Sequence, residues 1–326
     1  MPAQPTTISI VICAYTEERW DDLLSAVTSA RWQTRPAHEV ILVVDHNPAL
    51  LARVRAALPD VTAIENSGPR GLSAARNSGI AAAGGAVVAF MDDDAVADKR
   101  WLATLAPWYA DEDVAGVGGP VKPYWSEGRP AWFPEEFDWV VGCTFRGMPE
   151  RAAAVQRLIG CNMSFRREVL EAVGGFRSGI GRVGSYPIAG EETELSIKVG
   201  QRWPHRRLVY DPAAWVGHRV PGKRATFAYF RTRAFCEGIS KALVSGQVGP
   251  RDGLAAERAY TTRTLPLAVL AGLADGLRGD RSGFGRAGAV VAGLAITVWG
   301  YLRGHVVRRR AAPVSLDATF SAGGTR

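Results

Sequence analysis

Cysteine is scarce in this 326-residue chain: Cys13, Cys143, Cys161 and Cys236 are far apart, and no two form a C-x-x-C pair. Zinc-site spacing is therefore absent, and the density is too low for a disulfide-stapled secreted scaffold. Buried thiols in a reducing compartment are expected instead. Membrane-spanning length is also lacking. The apolar stretch Ala287–Leu302 holds sixteen residues without a charge, short of the ~20 that cross a bilayer as a helix. At the N-terminus Ile8 to Ile12 is short, has no basic region before it and meets Glu17-Glu18-Arg19 soon after, so no secretory signal is expected. Two nucleotide fingerprints are missing as well. Arg70–Asn77 lacks the Gly-Lys-Ser/Thr of a Walker loop, and no G-x-G-x-x-G follows the first apolar run. Both absences weigh against a nucleotide hydrolase and a dinucleotide-dependent dehydrogenase.

What remains is globular in composition, 47% hydrophobic and 22% charged, enough for one large domain or two small ones. A formal charge of +7 favours an anionic partner. Nucleic acid is not the expected one, because the basic residues concentrate late in the chain and no recognised binding motif accompanies them.

Apolar runs and helical stretches alternate through the first third. Ile8–Cys13, Val40–Val44, Val61–Ile64 and Ala86–Met91 read as strands; Trp20–Ser29, Ala49–Ala57 and Ser73–Ala82 read as helices. Strands this continuously apolar predict a parallel sheet covered on both faces. The last of them runs into Asp92-Asp93-Asp94. Three like charges at the end of a buried strand are costly unless a cation sits there. If the extended backbone continues, Asp92 and Asp94 share a face and Asp93 points away. Two carboxylates so placed suit a hard divalent cation, although Asp also favours turns and helix caps.

Other polar groups fall at the expected strand ends: Ala14-Tyr15-x-Glu17 after the first and Asp45 after the second. A carboxylate there can accept from a base N–H, and Tyr15 can pack on an aromatic ring. Gly71 and Arg76 lie in a turn entering a helix, where free N–H groups face an anion. Glu191 and Glu192 open another helix, where the dipole favours acids and where a carboxylate could activate a hydroxyl. His218 could complete a site begun by two carboxylates.

Taken in order, these pieces resemble the family 2 glycosyltransferases of GT-A fold, from Ile8 to about Lys241. The residues that carry the resemblance are Ala14-Tyr15, Val43-Val44-Asp45, Gly71–Asn77, the D-x-D of Asp92 and Asp94, Asn162-Met163-Ser164 and Glu191-Glu192. The resemblance implies a nucleotide-sugar donor, inversion at the anomeric carbon and Mn²⁺ or Mg²⁺. It implies that Ala14, Tyr15, Glu17, Asp45, Gly71, Arg76, Asp92 and Asp93 surround the donor, and that Asp92, Asp94 and His218 hold the metal. Glu192 falls where the family has an Asp base, with Glu191 as the competing assignment. The segment from His218 to Gly238 is similar to relatives acting on polyprenyl- or dolichyl-phosphate-linked sugars. Asn162, Arg219, Arg224, Arg231 and Arg233 are accordingly expected at the acceptor and its phosphates.

The expectation is a GT-A-type α/β domain over residues 1–240, a nucleotide half to about 118 and an acceptor half beyond it. A helical, membrane-associated region follows over 241–312, and a small polar tail over 313–326 is expected to be disordered. Leu265–Leu277 and Ala287–Leu302 would form an interfacial hairpin with Arg286, Arg303, Arg308, Arg309 and Arg310 on headgroups, or pack as soluble helices. The cytoplasmic face of a membrane is the expected location. Uridine is the default base, with guanosine or thymidine open. A nucleotidyltransferase and a non-catalytic nucleotide-sugar binder remain as alternatives.

Overall fold

The computed structural model describes residues 6–177, 190–248 and 257–310, and the polar tail expected over 313–326 lies outside them. The chain begins β1 (Ile8–Ala14), α1 (Trp20–Arg31), β2 (Glu39–Val44), α2 (Pro48–Ala57), β3 (Thr62–Glu65), α3 (Leu72–Ala82) and β4 (Val87–Asp92). Strands β1, β2 and β4 are buried along nearly their whole length, as continuous apolar runs require when helices cover both faces. Next come β5 (Ala95–Ala97), α4 (Trp101–Leu105), β6 (Val114–Gly118), β7 (Val121–Trp125), β8 (Ala153–Val155), β9 (Asn162–Arg166) and α5 (Arg167–Val173). After α6 (Glu191–Arg202) come β10 (Arg207–Tyr210), β11 (Val216–Val220) and α7 (Phe227–Val248). Two last helices, α8 (Leu265–Leu277) and α9 (Ser282–Arg310), complete the described chain.

The main sheet runs β3-β2-β1-β4-β9-β6-β10-β8. Its first four strands are parallel, as expected, but β9 lies antiparallel between β4 and β6. A small sheet β5-β11-β7 stands beside it. Strand β5 begins one residue after Asp94 and pairs with β11, His218 opposite Ala95. This pairing carries the histidine from far along the chain to the end of β4.

Strand β4 ends at Asp92, and Asp93-Asp94 form a turn. Asp94 therefore shares a site with Asp92 because the chain turns, not because the pleat continues.

The expected boundary near residue 240 falls inside α7. Helices α7 and α9 pack closely: a Cβ on Gly300 would meet the Phe235 carbonyl, and one on Gly238 the Thr297 carbonyl. Phe230 of α7 packs on Phe133 and Phe137, with ring centroids 5.5 and 5.2 Å apart. Among the described residues, Leu267, Leu270 and Leu277 of α8 and Trp299 and Leu302 of α9 are exposed. Within α9, Ser282–Val306 is long and apolar enough to cross a membrane by length and composition, longer than the sixteen-residue stretch on its own. Arg286 is committed to Asp275 at 2.9 Å and Asp280 at 2.8 Å. Arg303 is exposed, whereas the side chains of Arg308, Arg309 and Arg310 lie outside the described set.

Candidate active site

The carboxyl ends of β1, β2 and β4 open on a cavity of about 410 Å³ lined by Cys13, Ala14, Tyr15, Asp45, His46, Asn47, Gly71, Asp92 and Asp93 among others. Asp45 is braced on both oxygens, accepting from Asn66 Nδ2 at 2.6 Å and from the Gly71 N–H at 2.9 Å. Gly71 has φ 135°, a left-handed geometry that glycine adopts without strain, and it delivers that N–H. Tyr15 is 46% exposed over the cavity. Glu17 is not brought in: it is exposed, 3.5 Å from Arg53, and lines neither cavity described here.

A second cavity, of about 420 Å³, shares Arg19, Leu72 and Asp92 with the first. At this junction Asp92, Asp94 and His218 each offer a ligand atom, all within 4.8 Å of one another. His218 Nε2 lies 3.1 Å from Asp94 Oδ1, while Arg19 and Arg224 approach the other oxygen of Asp94 at 3.2 and 3.5 Å. Burial disfavours charge on the His218 ring, but the Asp94 carboxylate outweighs it and pushes the imidazole up to about 10. Burial likewise opposes ionised Asp94, yet His218, Arg19 and Arg224 hold its carboxyl well below the usual range. Two carboxylates and an imidazole fit a hard or borderline divalent ion, which would supply the compensation that a proton on His218 otherwise gives. Behind the ring, Cys143 Sγ lies 3.8 Å from His218 Nδ1. Asp93 turns to Arg19 at 2.8 Å, and its Oδ2 is buried without a hydrogen-bond partner. Burial and the neighbouring Asp94 push Asp93 up to about 7.

The second cavity also receives the start of α6. Gly190 precedes the helix at φ 118°, where a side chain would be strained and a Cβ would also press on Val244 of α7. The two glutamates that follow part company. Glu191 is buried and bound to Arg76 at 2.9 Å, while Arg76 also reaches Asp92 at 3.4 Å and the Gly160 carbonyl at 3.0 Å. Burial works against the charge on Arg76, but Glu191 and Asp92 raise its pKa. Glu192 is half-buried and accepts from the Thr193 hydroxyl at 3.3 Å. Burial, with the charge of Glu191, pushes its carboxyl up to about 7.

Of the residues expected at an acceptor, Arg224 and Arg233 line this cavity. Asn162 does not. It is fully buried, and its amide accepts from Trp101 Nε1 at 2.8 Å while donating to the Pro120 and Ala214 carbonyls at 3.0 and 2.7 Å. Its side-chain amide ties β9 to α4 and to the loops that enter β7 and β11. Arg219 points out of β11 to Asp22 at 2.6 Å, and Arg231 is exposed on α7; neither lines the cavity. Residues not anticipated are Arg19, which crosses both cavities, together with Arg157, Glu237 and Lys241. Only the position of Arg19 beside Glu17 and Glu18 at the end of β1 offered a signal. Cys143 and Cys161 are buried as expected, whereas Cys13 and Cys236 are only partly so.

Residues 9–174 match the profile of the family described as Glycosyl transferase family 2. A glucosyl-dolichyl phosphate glucuronosyltransferase of Haloferax volcanii is 35% identical over 238 residues, covering 72% of this chain and 76% of that protein. The succinoglycan biosynthesis protein ExoM of Rhizobium meliloti is 26% identical over 282 residues, 85% of this chain and 84% of its own. Among solved structures, a mannosyltransferase of Pyrobaculum calidifontis in complex with GDP-Man and Mn²⁺ superposes with a TM-score of 0.56 at 20% identity, over 91% of this chain and 88% of that one. That likeness bears out the expected GT-A fold.

Proposed function

The chain belongs to glycosyl transferase family 2, and from that footing we propose that it moves a sugar from a nucleoside diphosphate, uridine being the expected base, to a hydroxyl of a lipid-linked saccharide with inversion. The observation that carries the proposal is that one cavity holds both the Asp92–Asp94–His218 donor set and Glu192, a carboxylate held near neutrality. The base and ribose lie in the first cavity, against Tyr15 and the braced Asp45. The diphosphate lies at the junction, where Arg19 and Arg224 add fixed positive charge. Mn²⁺ or Mg²⁺ held by Asp92, Asp94 and His218 would stabilise the negative charge of the departing diphosphate. Glu192 accepts the proton of the acceptor hydroxyl as its oxygen bonds to the anomeric carbon and the carbon–oxygen bond to the diphosphate breaks. A pKa near the working pH suits a general base. Glu191 is bound to Arg76 and has the positioning role.

A lipid-linked acceptor is supported by two observations. The relative from Haloferax volcanii is named for a dolichyl phosphate glycoside. Val298 of α9 lines the second cavity and is also 48% exposed, like the apolar residues exposed on the hairpin. Such residues suit docking at a membrane surface, on the cytoplasmic side in this reading.

The test is release of free nucleoside diphosphate from a panel of uridine, guanosine and thymidine donors, with Mn²⁺ or Mg²⁺, comparing the full chain with Asp94→Asn. Metal-dependent release from one donor, lost in the variant, is expected. No release and no thermal shift with any donor would sink the reading.

A further inference from the structure

The second cavity carries a further group of charges that the transfer step leaves unused. Arg157 follows β8, while Arg233, Glu237 and Lys241 stand four residues apart on α7 and so share one face. All four line the cavity. Lys241 Nζ lies 3.0 Å from Glu237 Oε1, and the buried Arg233 turns its Nε toward the Val140 carbonyl at 3.4 Å. Burial disfavours the charge of Glu237, yet Lys241, Arg233 and Arg157 hold its carboxyl below the usual range. These three cations therefore favour negative charge in this part of the cavity. Glu192 lines the same cavity as this group.

The same cavity is also lined by the apolar side chains of Phe145, Met148, Leu265, Leu294, Val298 and Tyr301. Leu265 belongs to α8; Leu294, Val298 and Tyr301 belong to α9. A cavity that combines cations with apolar side chains, one of them, Val298, reaching the protein surface, is complementary to an amphiphile with one anionic head and a long apolar tail.

We propose that Arg157, Arg233 and Lys241 seat the phosphate of a polyprenyl phosphate glycoside, with its first isoprene units along Leu265, Leu294 and Val298. The inference rests on reading the Glu192 cavity as the acceptor side. It adds a size limit: because one cavity of about 420 Å³ holds both the seat and Glu192, a short glycan separates the phosphate from the reacting hydroxyl.

Binding of farnesyl phosphate, farnesol and inorganic phosphate to the full chain, measured by calorimetry, tests this without knowing the sugar. Farnesyl phosphate is expected to bind at least ~10-fold more tightly than either half alone, the gain a pair of charge-assisted contacts gives. Arg157→Gln with Lys241→Gln should bring farnesyl phosphate down to the affinity of farnesol, leaving farnesol itself unchanged. Val298→Asn should weaken both prenyl probes and spare phosphate. Unchanged nucleoside diphosphate binding in each variant confirms an intact fold. Equal affinity for farnesyl phosphate and farnesol, or a phosphate preference that survives the double variant, overturns the proposal. Inorganic phosphate binding as tightly as farnesyl phosphate also overturns it, reassigning the cations to a free anion. Diphosphate release from the donor panel is read separately, so the transferase can stand while this inference falls.

Discussion

Replacing Glu192 by Gln should slow the enzyme and stabilise the protein at once. The carboxyl is half-buried, and burial with the charge of Glu191 raises it from 4.5 to about 7, Arg76 opposing from α3 and Glu237 adding from α7. A raised folded-state pKa means that the native protein holds this proton more tightly than the unfolded chain does. Its contribution to stability is then complete below pH 4.5 and lost as pH rises through 7. Keeping the group ionised at pH 8 costs at most about 3 kcal/mol, and glutamine escapes that cost. The variant should therefore melt several degrees above the parent at pH 8, and the gap should close toward pH 5. Turnover should fall ~10²-fold or more, since glutamine cannot accept a proton, while donor affinity changes little. In the parent, kcat/KM should drop with unit slope below an apparent pKa near 7. Calorimetry and initial rates across pH 5 to 9 supply both readouts. A variant that keeps its rate, or that melts lower than the parent at pH 8, refutes the assignment. Should Glu191→Gln be the inactive variant with Glu192→Gln active, the base moves by one residue.

Asp94→Ala should abolish Mn²⁺ binding by calorimetry, and it should cost about 3–5 kcal/mol of stability by removing the carboxylate that faces the buried His218 and Arg224; unchanged Mn²⁺ affinity would remove Asp94 from the site. Glu237→Gln removes a charge that raises Glu192, so the acid limb of kcat/KM should move to lower pH, and a limb that stays put would mean that the two glutamates do not couple. Leu270→Glu with Trp299→Glu, both on exposed apolar positions, should reduce co-sedimentation with anionic vesicles while donor binding is kept; equal sedimentation would detach the hairpin from membrane docking. Gly300→Leu places a side chain against the Phe235 carbonyl and should lower the melting temperature by the equivalent of 1–3 kcal/mol or more, a loss that a surface change such as Gly288→Ala, with nothing within 4 Å, should not reproduce.

What the sequence disclosed follows from how local each signal is. Strands β1, β2 and β4 were legible because a strand buried on both faces is apolar throughout, and α8 spans the residues expected of it. The insertion of β9 between β4 and β6 was not legible, because five residues pairing across long stretches of chain leave no periodic trace. Asp92 and Asp94 could be paired from sequence, but the reason offered for it, the pleat, was not the one at work. Asn162 shows the opposite failure. A polar residue in a matched motif suggested ligand contact, yet its amide is spent on Trp101, Pro120 and Ala214 in the core. Among the late arginines, density alone could not separate Arg224 and Arg233, which face inward, from Arg219 and Arg231, which do not. That choice depends on the facing of β11 and on which side of α7 meets α9.

The same facing makes the last two helices part of the site and not an appendage to it. Helix α9 has three distinct surfaces. Its glycines admit α7 at close range, through Gly300 against Phe235 and Gly304 against Ile239 and Ala242. Leu294, Thr297 and Tyr301 form cavity wall, and Trp299 and Leu302 face outward. Such close approach needs small residues at the crossing, and larger ones would push α9 away from α7 and widen the cavity beside Glu192. Because α7 also supplies Arg233, Glu237 and Lys241, any shift between these two helices moves those charges relative to the apolar lining from α9. Helix packing, the shape of the second cavity and the apolar outer face are thus set by one interface, and a substitution in it should change the second cavity before it reaches Asp45 or Tyr15, which line the first.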